Sequence, residues 1–582
     1  MKQLLLTFSL MIVSIAAWGQ VKTFNVAVPG TLSQIIPDNE KSTITDVKIT
    51  GKINGSDIVV IRNMAGRDKK GNPTDGILTR LDLSDANIVS GGGAYFDGMD
   101  GELFSEDNTI GSNMFDLCDK LTYINTPKSV LKIDAAAFSS CSAIEELVLH
   151  EGLQEMGEAA FVGCGFSEIT IPEGVTALPN LLFYFCGNLT TVNLPKSLSE
   201  IGSEIFAECP MVKNINIAEG NTSFKIIDGV LYNANLDKLL YYPAAHEGTK
   251  FDVPTTIKEI ANGAFANSSL QTVTLNEGLI TIGAYAFDGS SITSVTFPST
   301  IMNVGEFAFN NCQSLVEVSL NDNLVMLSEN MFSQCKVLTT VKLPSNLEIM
   351  GVMSFSGCKA LKSITLPETL TELGNGAFNN CSNLESIIIP ESVSAFGTGI
   401  FYGCSALAEC DLPDGITEIP AQMFAGCKSL KEIKIPETVK YLMHYAFQSS
   451  GLTKVSIPAS VVSITEGVFS GCKELTEIRN YNPHPQPLGI VPVFLLVNHD
   501  IPLYVPFGSK SAYEAAEGWN EFTNIIEMDP EATGIDGATI TGSDAVNDAE
   551  YFDLNGVRVG QDHKGITIIR TSNGTTRKVI KQ

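Results

Sequence analysis

Thirteen cysteines, six histidines and 65 acidic side chains are the groups in this 582-residue chain that could do chemistry. Thiolates attack or bind metal, histidines join them as ligands, and paired carboxylates serve as acid and base, but each role needs partners at a particular spacing. The histidines, His150, His246, His444, His484, His499 and His563, are scattered and never fall at helical or zinc-site intervals. No nucleophile elbow, His-Glu-x-x-His pair, phosphate-cradling loop or dinucleotide fingerprint occurs. Asp553-x-Asn555-Gly556 begins like a calcium loop, but the later ligands are missing and a β-turn accounts for it. Acidic pairs such as Glu145-Glu146 read as solvated surface. The sequence predicts no catalytic residue, no cofactor and no metal site, and hence no enzyme.

The cysteines obey a different rule. Twelve of them stand three places after a Phe, and Ser268, Ser290 and Ser450 hold the same slot elsewhere. The Phe residues fall at 115, 138, 161, 183, 206, 265, 287, 309, 332, 355, 378, 401, 424, 447 and 469, 22 or 23 apart except across one gap. An interval kept over fifteen units is the signature of a repeat architecture. One unit reads Leu361-x-x-Ile364-x-Leu366-Pro367-x-x-Leu370-x-x-Leu373-Gly374-x-x-Ala377-Phe378-x-x-Cys381. Ile364 and Leu366 make the inward side of a short strand with Thr365 facing out, and Pro367 ends it. Leu370 and Leu373 cover the returning arm, Gly374 permits a bend, and Ala377-Phe378 predicts a brief helical or 3₁₀ turn that drops a ring into the interior. A single unit cannot bury its apolar side, so the units must stack into a solenoid, with the strands forming a parallel sheet and the Phe rings a column.

The Leu-x-x-Ile-x-Leu core resembles leucine-rich repeats, and the Leu-Pro and Ala-Phe-x-x-Cys elements resemble the BspA-like class of bacterial surface proteins over about residues 78 to 527. That resemblance implies short parallel strands on a concave face, with helical or 3₁₀ turns and irregular arms elsewhere. It also implies capping regions and a role in binding or adhesion.

The expected organisation is a signal peptide at 1–19, an N-terminal cap at 20–77, the solenoid at 78–480, a C-terminal cap at 481–528, a linker at 529–548 and a small β tail at 549–582. The leader rests on the apolar run Leu4 to Ala17 and the small residues Ala17 and Gly19 before Gln20. No Cys follows it to take a lipoprotein's lipid, and no later run is long enough for a membrane helix. In the gap after Phe206, Phe224 to Tyr232 reads as strand, Asp-Gly turn, strand, so a β-hairpin insertion is expected at about 218–250. Tyr241-Tyr242 then supplies aromatics expected to lie outside the core. The tail resembles the C-terminal mini-domains of exported proteins, some of which act as sorting signals.

Export places the chain in the secreted or outer-surface fraction, with the periplasm as the alternative. A net charge of −28 would repel nucleic acid and anionic lipid. The surface left for function is the outward strand column, including Thr274, Thr296, Ser319, Lys342, Thr365, Ile388, Asp411 and Lys434. Of the residues favoured at binding hot spots, the outward columns offer only Tyr123 and Arg479. The leading reading is a non-catalytic scaffold binding an extracellular protein, of host matrix or another cell surface. A carbohydrate-associated module and a structural stalk are the alternatives.

An exported chain with this many cysteines would ordinarily carry a disulfide framework. The slots fill in runs of five and six, then Cys472 alone, so they cannot all pair, and a ladder of small buried thiols fits better. Thiol counting on protein denatured without oxygen should find most of the thirteen free; five or six bonds would refute the ladder.

Overall fold

The computed structural model describes residues 21–99 and 101–528 and, of the tail, the backbone of the strands Glu550–Phe552, Arg558–Val559, Gly565–Arg570 and Thr576–Lys581. The expected leader and linker lie outside the described residues. The chain divides into two compact units at Cys312/Gln313.

Both units are stacks of coils, and each coil is held by three features. The first is the strand read from the sequence, as in Tyr123–Asn125, which pairs in parallel with Glu146–Val148. The second escaped the sequence reading. The returning arm is itself a two-residue strand, and these arms form a second parallel ladder: Thr109–Ile110, Lys132–Ile133 and Glu155–Met156 in the first unit, and Met326–Leu327, Ile349–Met350, Glu372–Leu373 and Ala395–Phe396 in the second. Two residues are too few for period-2 alternation to show in sequence.

The third feature is the Phe turn. It is neither α nor 3₁₀ but two successive tight turns, because the residues two before and two after every Phe have positive φ, as at Ala136 (53°) and Ser140 (58°) or Met353 (53°) and Gly357 (73°). Left-handed residues interrupt a helix at once. They also set three backbone N–H groups facing the next coil. Ala136, Phe138 and Ser140 donate to the carbonyls of Glu158, Ala160 and Val162 at 2.7–3.0 Å. The pattern recurs at Gly376, Phe378 and Asn380, which donate to Thr398, Ile400 and Tyr402.

Inside this turn the rings stack as predicted. In the first unit the centroids of Phe115, Phe138, Phe161, Phe183 and Phe206 are 5.4–5.8 Å apart. In the second, Phe332 to Phe469 repeat at 5.5–5.8 Å, and Phe494 extends the column at 5.7 Å. Phe494 lies outside the sequence series because Val497 occupies its thiol slot. Trp519 and Phe522 then close that column at 5.3 and 5.0 Å, and Pro492, two before Phe494, removes a donor that would have no coil to meet.

The thiols form a ladder of their own. Cys141 Sγ donates to the carbonyl of Phe115 at 3.1 Å, Cys186 to Phe161 at 3.0 Å, Cys381 to Phe355 at 3.1 Å and Cys472 to Phe447 at 3.0 Å. All thirteen cysteines are free, and burial pushes the Cys186 and Cys404 thiols up to about 12, where they stay protonated and unreactive. Cys410, in the strand Glu409–Asp411, is partly buried.

At the N-terminal end, the strands Lys22–Val26, Asp46–Ile53 and Arg80–Asp82 run parallel and lead into Tyr123–Asn125. The helix Gly55–Met64, capped by Asn54 with Asp57, packs beside them. It carries fully buried Arg62, whose guanidinium donates to the carbonyls of Asn113 and Met114 at 3.1 and 3.0 Å. Arg67 Nε donates to that of Leu117 at 2.9 Å. Arg62 at Met114, and Tyr95, whose hydroxyl donates to the carbonyl of Ser112 at 2.9 Å, thus satisfy first-turn acceptors of the kind that an earlier coil reaches elsewhere. The Gly-rich stretch before Phe115 is an antiparallel pair, Gly91–Gly98 with Gly101–Ser105. Near the other end, Glu477–Asn480, Pro502–Val505 and Asn524–Glu527 pair in parallel, with the helix Lys510–Ala515 in between. The tail strands form a four-stranded antiparallel sheet.

Gly374 is required for space, not for bending. Its φ is not positive, and a Cβ there would lie 2.7 Å from the nitrogen of Val352 and 2.8 Å from the carbonyl oxygen of Met350; at Gly397 the nearest atom, the nitrogen of Asn375, would be at 2.3 Å. Gly374→Ala is therefore expected to cost about 1–3 kcal/mol. Ala136→Gly, where relief of left-handed strain offsets lost chain entropy, should cost close to nothing, while Ala137→Gly at a buried position with ordinary φ should cost about 1 kcal/mol. Chemical denaturation of the three variants checks this ordering.

Candidate functional site

The outward strand residues stand where the alternation placed them. Thr274 and Thr296 lie exposed in the first unit, at the ends of the strands Thr272–Thr274 and Ser294–Thr296. The other six belong to the second. Ser319, half-buried, faces Lys342 across paired strands, and Ile388 faces Asp411 in the same way. Thr365 and Lys434 are exposed on extended segments that form no regular strand. Ile388 is an apolar side chain 69% exposed on an otherwise polar face. Lys434 Nζ meets Asp414 at 3.3 Å, both largely in solvent, where such a pair contributes little and leaves the cation available.

The two expected hot-spot residues are already engaged within the chain. The Arg80 guanidinium sits 4.0 Å from the Tyr123 ring centre, and Arg479 bonds Glu477 at 2.6 Å while lying over Tyr504. In the first unit the strand face is also tied laterally. Asn216 Nδ2 donates to Asn193 Oδ1 at 2.8 Å, and Asn193 Nδ2 donates to Thr170 Oγ1 at 3.0 Å and Glu168 Oε1 at 2.8 Å. Beside this ladder the strands Glu146–Val148 and Glu168–Thr170 belong to different sheets, and an open groove of about 770 Å³ lies there, bordered by Glu146, Glu151, Glu168 and Glu173. The coil arrives there one residue short, with Phe166 two places after Cys164.

The aromatics follow a different arrangement from the one expected. Tyr241 and Tyr242 are 6% and 1% exposed and do not project; Tyr241 packs against Phe206 at 4.7 Å, tilted by 43°, and Tyr242 stacks on Phe265 at 5.2 Å, carrying the ring column through the insertion. The hairpin Phe224–Ile227 with Val230–Asn233 is present, but the next strand, Lys238–Tyr241, pairs in parallel with Glu259–Ile260 as an ordinary returning arm. Apolar burial outweighs any projecting role for two rings that fit the column. Half-exposed aromatics occur instead on the turn edge. Tyr285 and Phe307, both two places before a column Phe, stack face to face at 4.8 Å and 4°, and Tyr184 and Phe185 meet edge-on at 4.4 Å. Their shared slot is visible in the sequence, but a turn taken as helical assigns it no outward direction.

Near these rings the carboxylates of Glu204, Glu208 and Asp288 are gathered on the same edge. Burial raises the Asp288 carboxyl from 3.8 to about 6, the Glu208 and Glu204 charges add to the rise, and a 2.8 Å bond from Asn310 opposes it. Burial likewise raises Glu204, and burial, with smaller additions from the Glu208, Glu204 and Asp288 charges, raises the Tyr184 hydroxyl. Among the described residues no group of three His, Cys, Asp or Glu is placed to hold a metal, and no helix is long and apolar enough to cross a membrane. His444 is half-exposed and contacts Glu466.

A carboxyl whose folded value lies above its unfolded one stabilises the fold below the unfolded value and loses that contribution as pH rises through the folded one. For Asp288 the window runs from 3.8 to about 6. Asp288→Asn should leave the unfolding temperature little changed at pH 4 and raise it at pH 8, by no more than about 1 kcal/mol of stability once solvent screening is allowed for. Thermal melts at the two pH values check this.

Comparison with known proteins places this architecture. The BspA type leucine rich repeat region matches in six copies over residues 108–236, 241–362 and 350–476, breaking after the hairpin. No curated protein matches the chain. Among solved structures, a leucine-rich repeat protein from Eubacterium ventriosum is similar at 22% identity and a TM-score of 0.43, over 65% of this chain and 84% of that one. Another, from Bacteroides ovatus, is similar at 23% and 0.43, over 62% and 92%. A leucine rich cell surface protein from Faecalibacterium prausnitzii is similar at 24% and 0.35, over 65% and 84%. With its repeat region matched across more than half its length, the chain belongs to the BspA-type leucine-rich repeat family.

Proposed function

We propose that this protein is a non-catalytic binding or adhesion scaffold, displayed outside the cytoplasm, that engages an extracellular protein through the strand face of its second unit. In this reading residues 1–19 direct export, 20–77 and 481–528 cap the solenoid at 78–480, 529–548 link, and 549–582 serve as a sorting or anchoring tail. The observation that supports it is the outward set Lys342, Ile388, Asp411 and Lys434, in which charges of both signs and one exposed apolar side chain are carried on coils fixed by stacked rings. Such a surface is held in its binding geometry before a partner arrives, so little order is lost on association.

A second reading, a carbohydrate-associated module, is favoured by the half-exposed Tyr285–Phe307 stack, since planar rings can receive the apolar face of a sugar. Arrays of extracellular-matrix proteins and of glycans separate the two. The scaffold reading expects saturable protein binding that falls about tenfold or more when Lys342, Asp411 and Lys434 are replaced together by Ala. Glycan-only binding lost in Tyr285→Ala would overturn it in favour of the second reading, and silence on both arrays would leave a structural stalk.

A further inference from the structure

One junction in the first unit keeps its turn ladder and loses the other two. Ala159, Phe161 and Gly163 donate to the carbonyls of Asn180, Leu182 and Tyr184. The arms Glu155–Met156 and Ala177–Leu178 of the same two coils, however, belong to separate sheets, and so do the strands Glu146–Val148 and Glu168–Thr170. The sequence carries the cause. In neighbouring coils the residue that ends the arm donates its N–H one arm back, as Gly157 does to Ile133 at 2.7 Å and Gly202 to Leu178 at 2.8 Å, and a Cβ on these glycines would lie 2.3 and 2.6 Å from a backbone nitrogen of the preceding coil. Pro179 holds that place in the coil of Phe183, with no N–H to give and a ring where glycine leaves space. Phe166 adds bulk where the flanking coils carry Ile144 and Leu189, and its ring meets Phe161 and Phe183 edge-on at 6.1 and 6.4 Å.

The strands left apart expose main-chain edges of both kinds. At the next junction Ile171 donates forward to Asn193 and Thr191 donates back to Ser167. Here the equivalent donors, Leu149 and Glu168, make no such bond, and the carbonyls of Thr170 and Glu145 accept from none. Each wall therefore offers one donor and one acceptor, and all four residues line the open groove of about 770 Å³. Five carboxylates and no Lys or Arg line it as well. Glu173 is spent on the N–H groups of Lys196 and Ser197, but Glu145, Glu146, Glu151 and Glu168 meet no cation among the described residues. We propose that this groove docks an extended, positively charged peptide segment of a protein partner. Such a chain carries N–H and C=O groups on both of its edges, as these walls require. Its Lys or Arg heads reach the four free carboxylates while their stems lie along Ile171 and Leu194. Tied only at their turns, the two coils can spread on the strand side to admit it. This site is separate from the strand face of the second unit, and either can fail without the other.

Hydrogen exchange on the whole chain tests the open walls. Amides 149 and 168 should exchange much faster than 126 and 191, which bond Val148 and Ser167, and equal protection would overturn the proposal. Blocked nonapeptides alternating Lys or Arg with Thr or Val are the binding probe, against the same set with Glu in place of the cations. The cationic set should bind and slow exchange at 149 and 168. Binding should weaken about tenfold or more when Glu146, Glu151 and Glu168 are replaced together by Gln, and should hold when exposed Glu348, Glu372 and Glu418 of the second unit are, a change of equal net charge. Phe166→Leu with Pro179→Gly restores a donor and removes bulk, so it should protect amides 149 and 168 in the free protein and weaken binding similarly. Peptides methylated at alternate backbone nitrogens should weaken likewise on the unaltered protein, a control that does not depend on the variant folding. No binding, equal binding of the acidic set, equal loss in the two Gln triples, indifference to methylation, or binding that leaves 149 and 168 fast would each refute the site. Array binding that depends on Lys342, Asp411 and Lys434 would be unaffected by any of these results.

Discussion

Neighbouring turns approach closely enough for three backbone hydrogen bonds and a pair of stacked rings to form together, and the other features of a coil follow from that approach. Rings repeat at 4.8–5.8 Å between successive Phe residues of the first unit, a distance at which main chains leave almost no room between them. That is why Gly374 and Gly397 carry no Cβ. It also explains the slot three after Phe, which takes a side chain small enough to fit and still able to donate to the carbonyl one coil back. Cysteine meets both demands, and packing accounts for its abundance in this slot.

Much of this was legible in the sequence because it recurs. Fifteen Phe residues at a near-constant interval reveal the column, and alternation around Thr365 or Asp411 distinguishes inside from outside without any knowledge of the sheet. What the sequence hid were features set by geometry between coils. The second ladder consists of strands two residues long, below the length at which a period can be seen. The left-handed pair flanking each Phe falls on Gly or Asn at half of its positions and on other residues at the rest, so composition marks it only in part; contacts along the stack impose it elsewhere. Tyr241 and Tyr242 were misplaced for a related reason. Their neighbours lack the Ala-Phe-x-x-Cys pattern, although ring stacking requires only a ring.

The candidate surfaces divide along the same line. The strand face could be enumerated in advance, yet which of its members are free could not. Tyr123 and Arg479 look like binding residues in isolation and are occupied by Arg80, Glu477 and Tyr504. Asn193 and Asn216 spend their amides on the coils beside them. The turn edge, with its paired aromatics and raised carboxyls, became visible only once each turn had a direction.

In each unit the triad N–H groups face the following coil, except those of Glu204, Phe206 and Glu208, which bond no main chain among the described residues, so each stack has a direction. In the first unit Arg62 donates to the first-turn carbonyl of Met114, and in the second Pro492 withholds a donor at the last ring turn. A nascent chain therefore meets a template at each step. Within each unit an ordinary coil that follows a formed turn meets three donors and an exposed ring. Because each turn presents the same groups to the next, the number of coils in a unit can vary by duplication without any change to the turns themselves.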